Sequence, residues 1–221
     1  MTMTLVIGNK TYSSWSLRAW LAMEAAGAAY DERLVPLDTP EFAQDIRAIT
    51  PAARVPVLID GEITVWDSLA IVEYLAERFP DAGLWPRDRR ARAQARAICA
   101  EFHSGFANLR SHFPMNLRRT PSPHPRAEEV LRAGSDDIAR VCEIWRTCRA
   151  SFGQGGPFLF GGFGAADAFF APVVTRFLTY LLPMGEVERA YADAIMAHPA
   201  MQRWRAAAAD EPWIINAEEV D

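Results

Sequence analysis

Thr11-Tyr12-Ser13-Ser14-Trp15-Ser16-Leu17-Arg18-Ala19-Trp20-Leu21-Ala22-Met23, preceded by the short apolar run Leu5-Val6-Ile7, is the stretch on which the reading of this chain turns. The apolar run reads as a strand. Beyond the hydroxyl cluster, Leu17, Trp20, Leu21 and Ala25 recur at helical spacing and form one buried stripe. The first turn of a helix leaves backbone N–H groups unpaired and carries partial positive charge, so hydroxyls placed there help to hold an anion. A thiolate is one such anion. A free thiol has a pKa of about 8.5, and lowering it by two units requires roughly 2.7 kcal/mol of extra stabilisation, which a hydroxyl donor and a helix N-terminus can supply together. Ser13 or Ser14 equally reads as a plain N-cap, a common use of serine ahead of a helix.

Two further segments extend the pattern. Arg54-Val55-Pro56 leads into Val57-Leu58-Ile59, then the turn signal Asp60-Gly61, then Ile63-Thr64-Val65, which describes a hairpin. Proline at a strand start fits a plain edge strand, or a cis bond that presents the Val55 backbone to an extended peptide. Asp67-Ser68 stands ahead of Leu69, Ile71, Val72, Leu75 and Phe79, an amphipathic helix stopped by Pro80. Either residue caps a helix, and this second N-terminus also offers N–H groups to a carboxylate and Asp67 to an ammonium.

In this order and spacing the three segments resemble the N-terminal domain of the glutathione transferases, and the resemblance covers essentially the whole chain. It implies an α/β thioredoxin-like domain over residues 1–80, a linker over 81–87 and an all-α helical bundle over 88–221. It implies glutathione as co-substrate, with no metal. The hydroxyl that stabilises the glutathione thiolate is then Ser13, with Ser14 the nearest competitor and Tyr12 and Thr11 behind them. Val55 pairs with the cysteinyl backbone, Pro56 is the family's cis-proline, Asp67 and Ser68 take the γ-glutamyl end, and Arg54 reaches the glycine carboxylate. A homodimer follows from family habit.

The family's electrophile pocket lies between the two domains. Phe102, His103, Phe106, Met115 and Asn116 are its candidates, with Trp15 closing it from the other side; Phe102, Phe106, Leu109 and Phe113 also repeat at helical spacing, the usual mark of a core face. An aromatic wall containing methionine suits a small apolar electrophile. The active-site helix has no cysteine before Cys99, so the pattern favours transfer to the glutathione sulfur, or isomerisation of the maleylacetoacetate isomerase type, over disulfide reduction. A noncatalytic interaction module on the same fold is the reading from another class.

Composition bounds these readings. The 221 residues are 50% hydrophobic and carry a net charge of −5, enough for two domains and the wrong sign for bulk nucleic-acid binding. There is no signal peptide and no apolar run of membrane-spanning length, which points to the cytoplasm. Cys99, Cys142 and Cys148 read as reduced and buried, and the four histidines have no metal-ligand spacing. Beyond residue 80 the sequence reads as helices at about 88–118, 125–152, 165–181, 186–196 and 199–209. The family places Ser or Thr three residues before the buried Asp167; Gly164 stands there, and a cost of a few tenths of a kcal/mol relative to Ser is expected.

Overall fold

A computed structural model describes residues 2–220. The apolar run becomes β1 (Met3–Ile7), and the hydroxyl cluster leads into α1 (Ser14–Ala25). Next come β2 (Tyr30–Leu34), the short α2 (Phe42–Arg47), β3 (Val57–Asp60), β4 (Ile63–Trp66) and α3 (Ser68–Arg78). The four strands form one mixed sheet in the order β2-β1-β3-β4, with β1 parallel to β2 and antiparallel to β3. A parallel pair needs a crossover, which α1 provides. The hairpin turn falls one residue later than the Asp60-Gly61 signal: Asp60 pairs with Ile63, and Gly61, at φ 61°, takes the left-handed position.

The rest is helical: α4 (Arg89–Ser104), α5 (Ala107–His112), α6 (Ala127–Phe152), α7 (Ala165–Thr179), α8 (Glu186–Ala197) and α9 (Pro199–Ala209). Together these elements build the thioredoxin-like sheet domain followed by a helical bundle. The single helix expected over about 88–118 is two helices. Gly105 ends α4, Phe106 adopts φ 58°, and the turn brings the Leu109 N–H onto the Asp137 carboxylate at 2.9 Å; Pro114 then holds the chain out of helix. Among the described residues, no helix is long and apolar enough to cross a membrane.

One continuous apolar cluster runs from Leu5 and Ile7 on the sheet, through Leu17 and Leu21 of α1, to Phe169, Phe170 and Trp204 of the bundle. Helix α1 packs on α3 on one side and α7 on the other, so it lies at the seam.

The start of α7 is set by Asp167, whose carboxylate accepts from the N–H of Leu159 (3.1 Å) and of Gly164 (2.9 Å). Burial pushes this carboxyl up to about 7, but it lies in the core and its role is structural. The expected penalty for Gly164 relative to serine is reversed: a Cβ there would stand 2.8 Å from the Leu84 carbonyl, which accepts the Ala165 N–H. Asp167→Ala strands the buried Leu159 N–H and the half-buried Gly164 N–H and should cost about 3 kcal/mol of unfolding free energy, measured by urea denaturation.

Candidate functional site

The two helix N-termini and the loop before β3 open onto one cavity of about 850 Å³ between the sheet and the helical bundle. Ser13, Ser14 and Trp15 reach it from the head of α1, Arg54, Val55 and Pro56 from the loop, and Trp66, Asp67 and Ser68 from the β4–α3 junction. His103 of α4, Arg110 of α5 and Arg176 of α7 form the opposite wall, and Glu218 enters from the C-terminal segment.

At the head of α1 the capping role is plain. Ser13 is the N-cap: its Oγ accepts from the Ser16 N–H at 3.3 Å and lies 2.7 Å from the Ser16 Oγ, which accepts from the Gly8 N–H at 3.0 Å. Two hydroxyls in contact can exchange donor and acceptor roles, so Ser16 can donate to Ser13 and release the Ser13 proton toward the cavity. The Ser14 hydroxyl accepts from Arg176 Nη2 at 3.3 Å.

The Val55-Pro56 bond is cis, and the β3 ladder begins only at Val57, leaving Val55 at the cavity edge. Asp67 caps α3 from a left-handed backbone position, φ 75°, a conformation that costs a non-glycine residue energy and is concentrated at functional sites. One Asp67 oxygen accepts from the Leu69 N–H (2.8 Å) and the other faces His103 Nε2 (3.2 Å). Beside it the Ser68 hydroxyl is buried with no hydrogen-bond partner among the described residues, an unmet demand at the cavity wall.

The far wall is cationic. Arg176 is 4% exposed and donates to the carbonyls of Phe113 (2.7 Å) and Pro172 (3.2 Å); burial pushes it down to about 10. Arg18 lies behind the wall, fully buried, its guanidinium 4.3 Å from the Trp15 ring centre, 4.8 Å from Phe102 and 5.0 Å from Phe169. Burial, aided by Arg176 and Arg110, pushes it down to about 9. His103 is lowered chiefly by burial, against the pull of Asp67.

Four pocket candidates lie elsewhere. Phe102, Phe106 and Met115 are core residues: Phe102 packs on Phe106 and Phe170 at 5.1 and 5.3 Å, and all three belong to the continuous apolar cluster. Asn116 holds a turn by accepting from the N–H groups of Arg118 and Arg119, and it lines a separate cavity of about 430 Å³. In their place stand Arg110, Arg176, Trp66 and Glu218. Arg176 had a readable signal: it and Asp167 are the two charges in an otherwise apolar helix. Nothing local in the sequence marks Glu218.

The geometry can now be set beside known proteins. Residues 12–78 match the glutathione S-transferase N-terminal domain and residues 92–207 the glutathione S-transferase C-terminal domain. The chain belongs to the glutathione S-transferase family. A probable maleylacetoacetate isomerase of Caenorhabditis elegans is 40% identical over 98 residues, 44% of this chain and 45% of its own length. Glutathione S-transferase Z1 of Arabidopsis thaliana is 35% identical over 38% of this chain and 40% of its own. These matches thus span about half the length of the curated relatives or less. A Burkholderia glutathione transferase homologue solved with bound glutathione shares the fold at TM-score 0.71 and 23% identity, covering 95% of this chain and 99% of its own.

Because Ser13 caps the family's α1 here, Ser13→Ala should lower stability by about 1 kcal/mol in urea denaturation, whatever it does to activity.

Proposed function

We propose that the chain is a glutathione transferase whose cavity binds glutathione extended along Val55-Pro56, with the γ-glutamyl end at Asp67 and Ser68 and the sulfur at Ser13. The observation that carries this reading is the unpaired, buried Ser68 hydroxyl at a helix N-terminus, on the same cavity as Ser13 and as Val55, which precedes the first ladder residue of β3. A carboxylate at α3 would take the Ser68 proton and the exposed N–H groups of its first turn. Asp67 would meet the adjacent ammonium, and Arg54 a carboxylate at the other end. The division into residues 1–80, 81–87 and 88–221 belongs to the same proposal, as do a homodimer and a cytoplasmic setting, which family membership alone supports.

In this account the thiol proton leaves to solvent, the Ser13 hydroxyl and the α1 N–H groups hold the thiolate, and the sulfur attacks an electrophilic carbon. Conjugation forms the C–S bond and expels a leaving group. The wall facing the sulfur changes the expected substrate: beside the anticipated His103 and Trp15, Arg110 and Arg176 stand in place of the rest of the anticipated aromatic wall containing methionine. A buried guanidinium favours an anion, so the electrophile carries a carboxylate. The same wall favours a second reading, glutathione-dependent isomerisation of an unsaturated acid, in which the thiolate adds to the double bond, the new single bond rotates and elimination restores both partners. The relatives named maleylacetoacetate isomerase support that alternative.

Calorimetric titration with glutathione tests the shared core of both. Wild type should bind saturably, and Asp67→Asn, which keeps the α3 cap and tolerates positive φ, should bind about tenfold more weakly. Absence of binding at millimolar glutathione would leave the noncatalytic module standing instead. In kinetics, Ser13→Ala should lower kcat with little change in the glutathione dissociation constant; the reverse ordering with Ser14→Ala would move the thiolate site by one residue.

A further inference from the structure

The segment beyond α9 is tied down residue by residue. Glu211, 8% exposed, accepts from the backbone N–H groups of Lys10 (2.6 Å) and Thr11 (3.0 Å). The Arg118 guanidinium donates to the carbonyls of Glu211 and Trp213 and, at 3.0 Å, to the Tyr12 hydroxyl. That hydroxyl donates to Glu219 at 2.6 Å. All but the Arg118–Tyr12 bond join the C-terminal segment to the loop leading into Ser13 or to the chain beyond α5, and that bond joins the loop to Arg118. They fix the short 3-10 turn Asn216–Glu218 at the cavity, with Glu218 among its lining residues.

Glu218 is half-buried, and among the described residues its carboxylate has no hydrogen bond or ion pair. Burial raises it and the field of Arg176 draws it back, yet the two groups do not touch. Each Arg176 nitrogen makes one hydrogen bond, to Phe113, Pro172 or Ser14, which leaves one further N–H on each Nη for an anion. A carboxylate from the C-terminal segment and a guanidinium from α7 thus line one cavity without an ion pair between them.

We infer that Glu218 is a specificity-determining residue of the electrophile pocket: it sets a limit of one negative charge, accepted against Arg176 and Arg110, and disfavours a second at the C-terminal side. The inference rests on the carboxylate-bearing electrophile proposed above. A substrate with one carboxylate turns it toward the arginines and leaves its neutral end beneath Glu218. A dianion of similar size places its second charge near that carboxylate, in a cleft where charges interact more strongly than in water. The ties through Glu211 and Arg118 keep Glu218 from swinging away.

The test uses unreactive probes of one shape and three charges: nitrobenzene, nitrobenzoate and nitroisophthalate. Binding to the full chain is read by quenching of tryptophan fluorescence, since Trp15 and Trp66 line the cavity. Glu218→Gln is isosteric and, among the described residues, breaks no hydrogen bond or ion pair. It should tighten nitroisophthalate about tenfold and nitrobenzoate by less than about threefold, leaving nitrobenzene unchanged, the scale of one charge–charge interaction in a partly solvated cleft. Equal shifts for all three probes, no shift for the dianion, or failure of both anions to bind wild type would overturn the inference. Glutathione is absent from these titrations, so a failure here is distinguishable from failure of the glutathione reading, which the calorimetry decides.

Discussion

Helix α1 is enclosed on every side, and the site exists because of that enclosure. Its residues from Ser14 to Met23 are buried apart from the half-buried Trp15, which opens onto the cavity. One flank packs on α3 and the other on α7, so the helix cannot shift without disturbing both halves of a close-packed interior. The N-terminus that carries Ser13 is therefore held in place by the core behind it. The same burial brings Arg18 inside, where the faces of Trp15, Phe102 and Phe169 supply the electrostatic compensation that hydrogen bonds do not. Trp15 is thereby fixed between a buried cation and the cavity.

Around that helix the charges are segregated. Asp67 lies at the α3 end, with Ser68 beside it, and the guanidinium groups of Arg110 and Arg176 stand on the bundle side, with Glu218 arriving from the chain terminus. This arrangement gives one cavity two regions of different chemistry: helix N-termini and strand-edge backbone, where we propose that the peptide binds, and a cationic wall, where we propose that the second substrate binds. His103 joins the regions, since it pairs with Asp67 while its ring packs edge-on against Trp15 at 5.0 Å. A group that binds Asp67 as a cation competes with that pairing, so occupancy at one end bears on the other.

What could be read in the sequence was local. The hydroxyl cluster, the Val-Pro entry to β3 and the Asp-Ser cap of α3 each depend on residues adjacent in the chain, and each occupies the cavity wall. Strand β2, Tyr30–Leu34, gave no such signal, because Asp31, Glu32 and Arg33 are exposed on an edge strand and no apolar alternation survives. The aromatic stripe of α4 was ambiguous for a related reason: periodicity says that Phe102 faces something apolar without saying whether that is core or cavity, and its packing on Phe106 and Phe170 is that of the core. The residues missed altogether, Arg110, Arg176 and Glu218, come from three separate elements and meet only in the folded chain. Gly164 shows the converse error, where a weaker cap by local rules is required by the approach of the Leu84 carbonyl from a distant segment.

The most direct test of the central claim is the thiol pKa of glutathione bound to the protein, followed through the ultraviolet absorbance of the thiolate as pH is varied. A sulfur held at Ser13 and the α1 N-terminus should titrate about two units below the ordinary thiol value of about 8.5, and Ser13→Ala should return most of that shift. A bound thiol that titrates like the free one in the wild-type protein would contradict the account, since the head of α1 would then be a cap and nothing more.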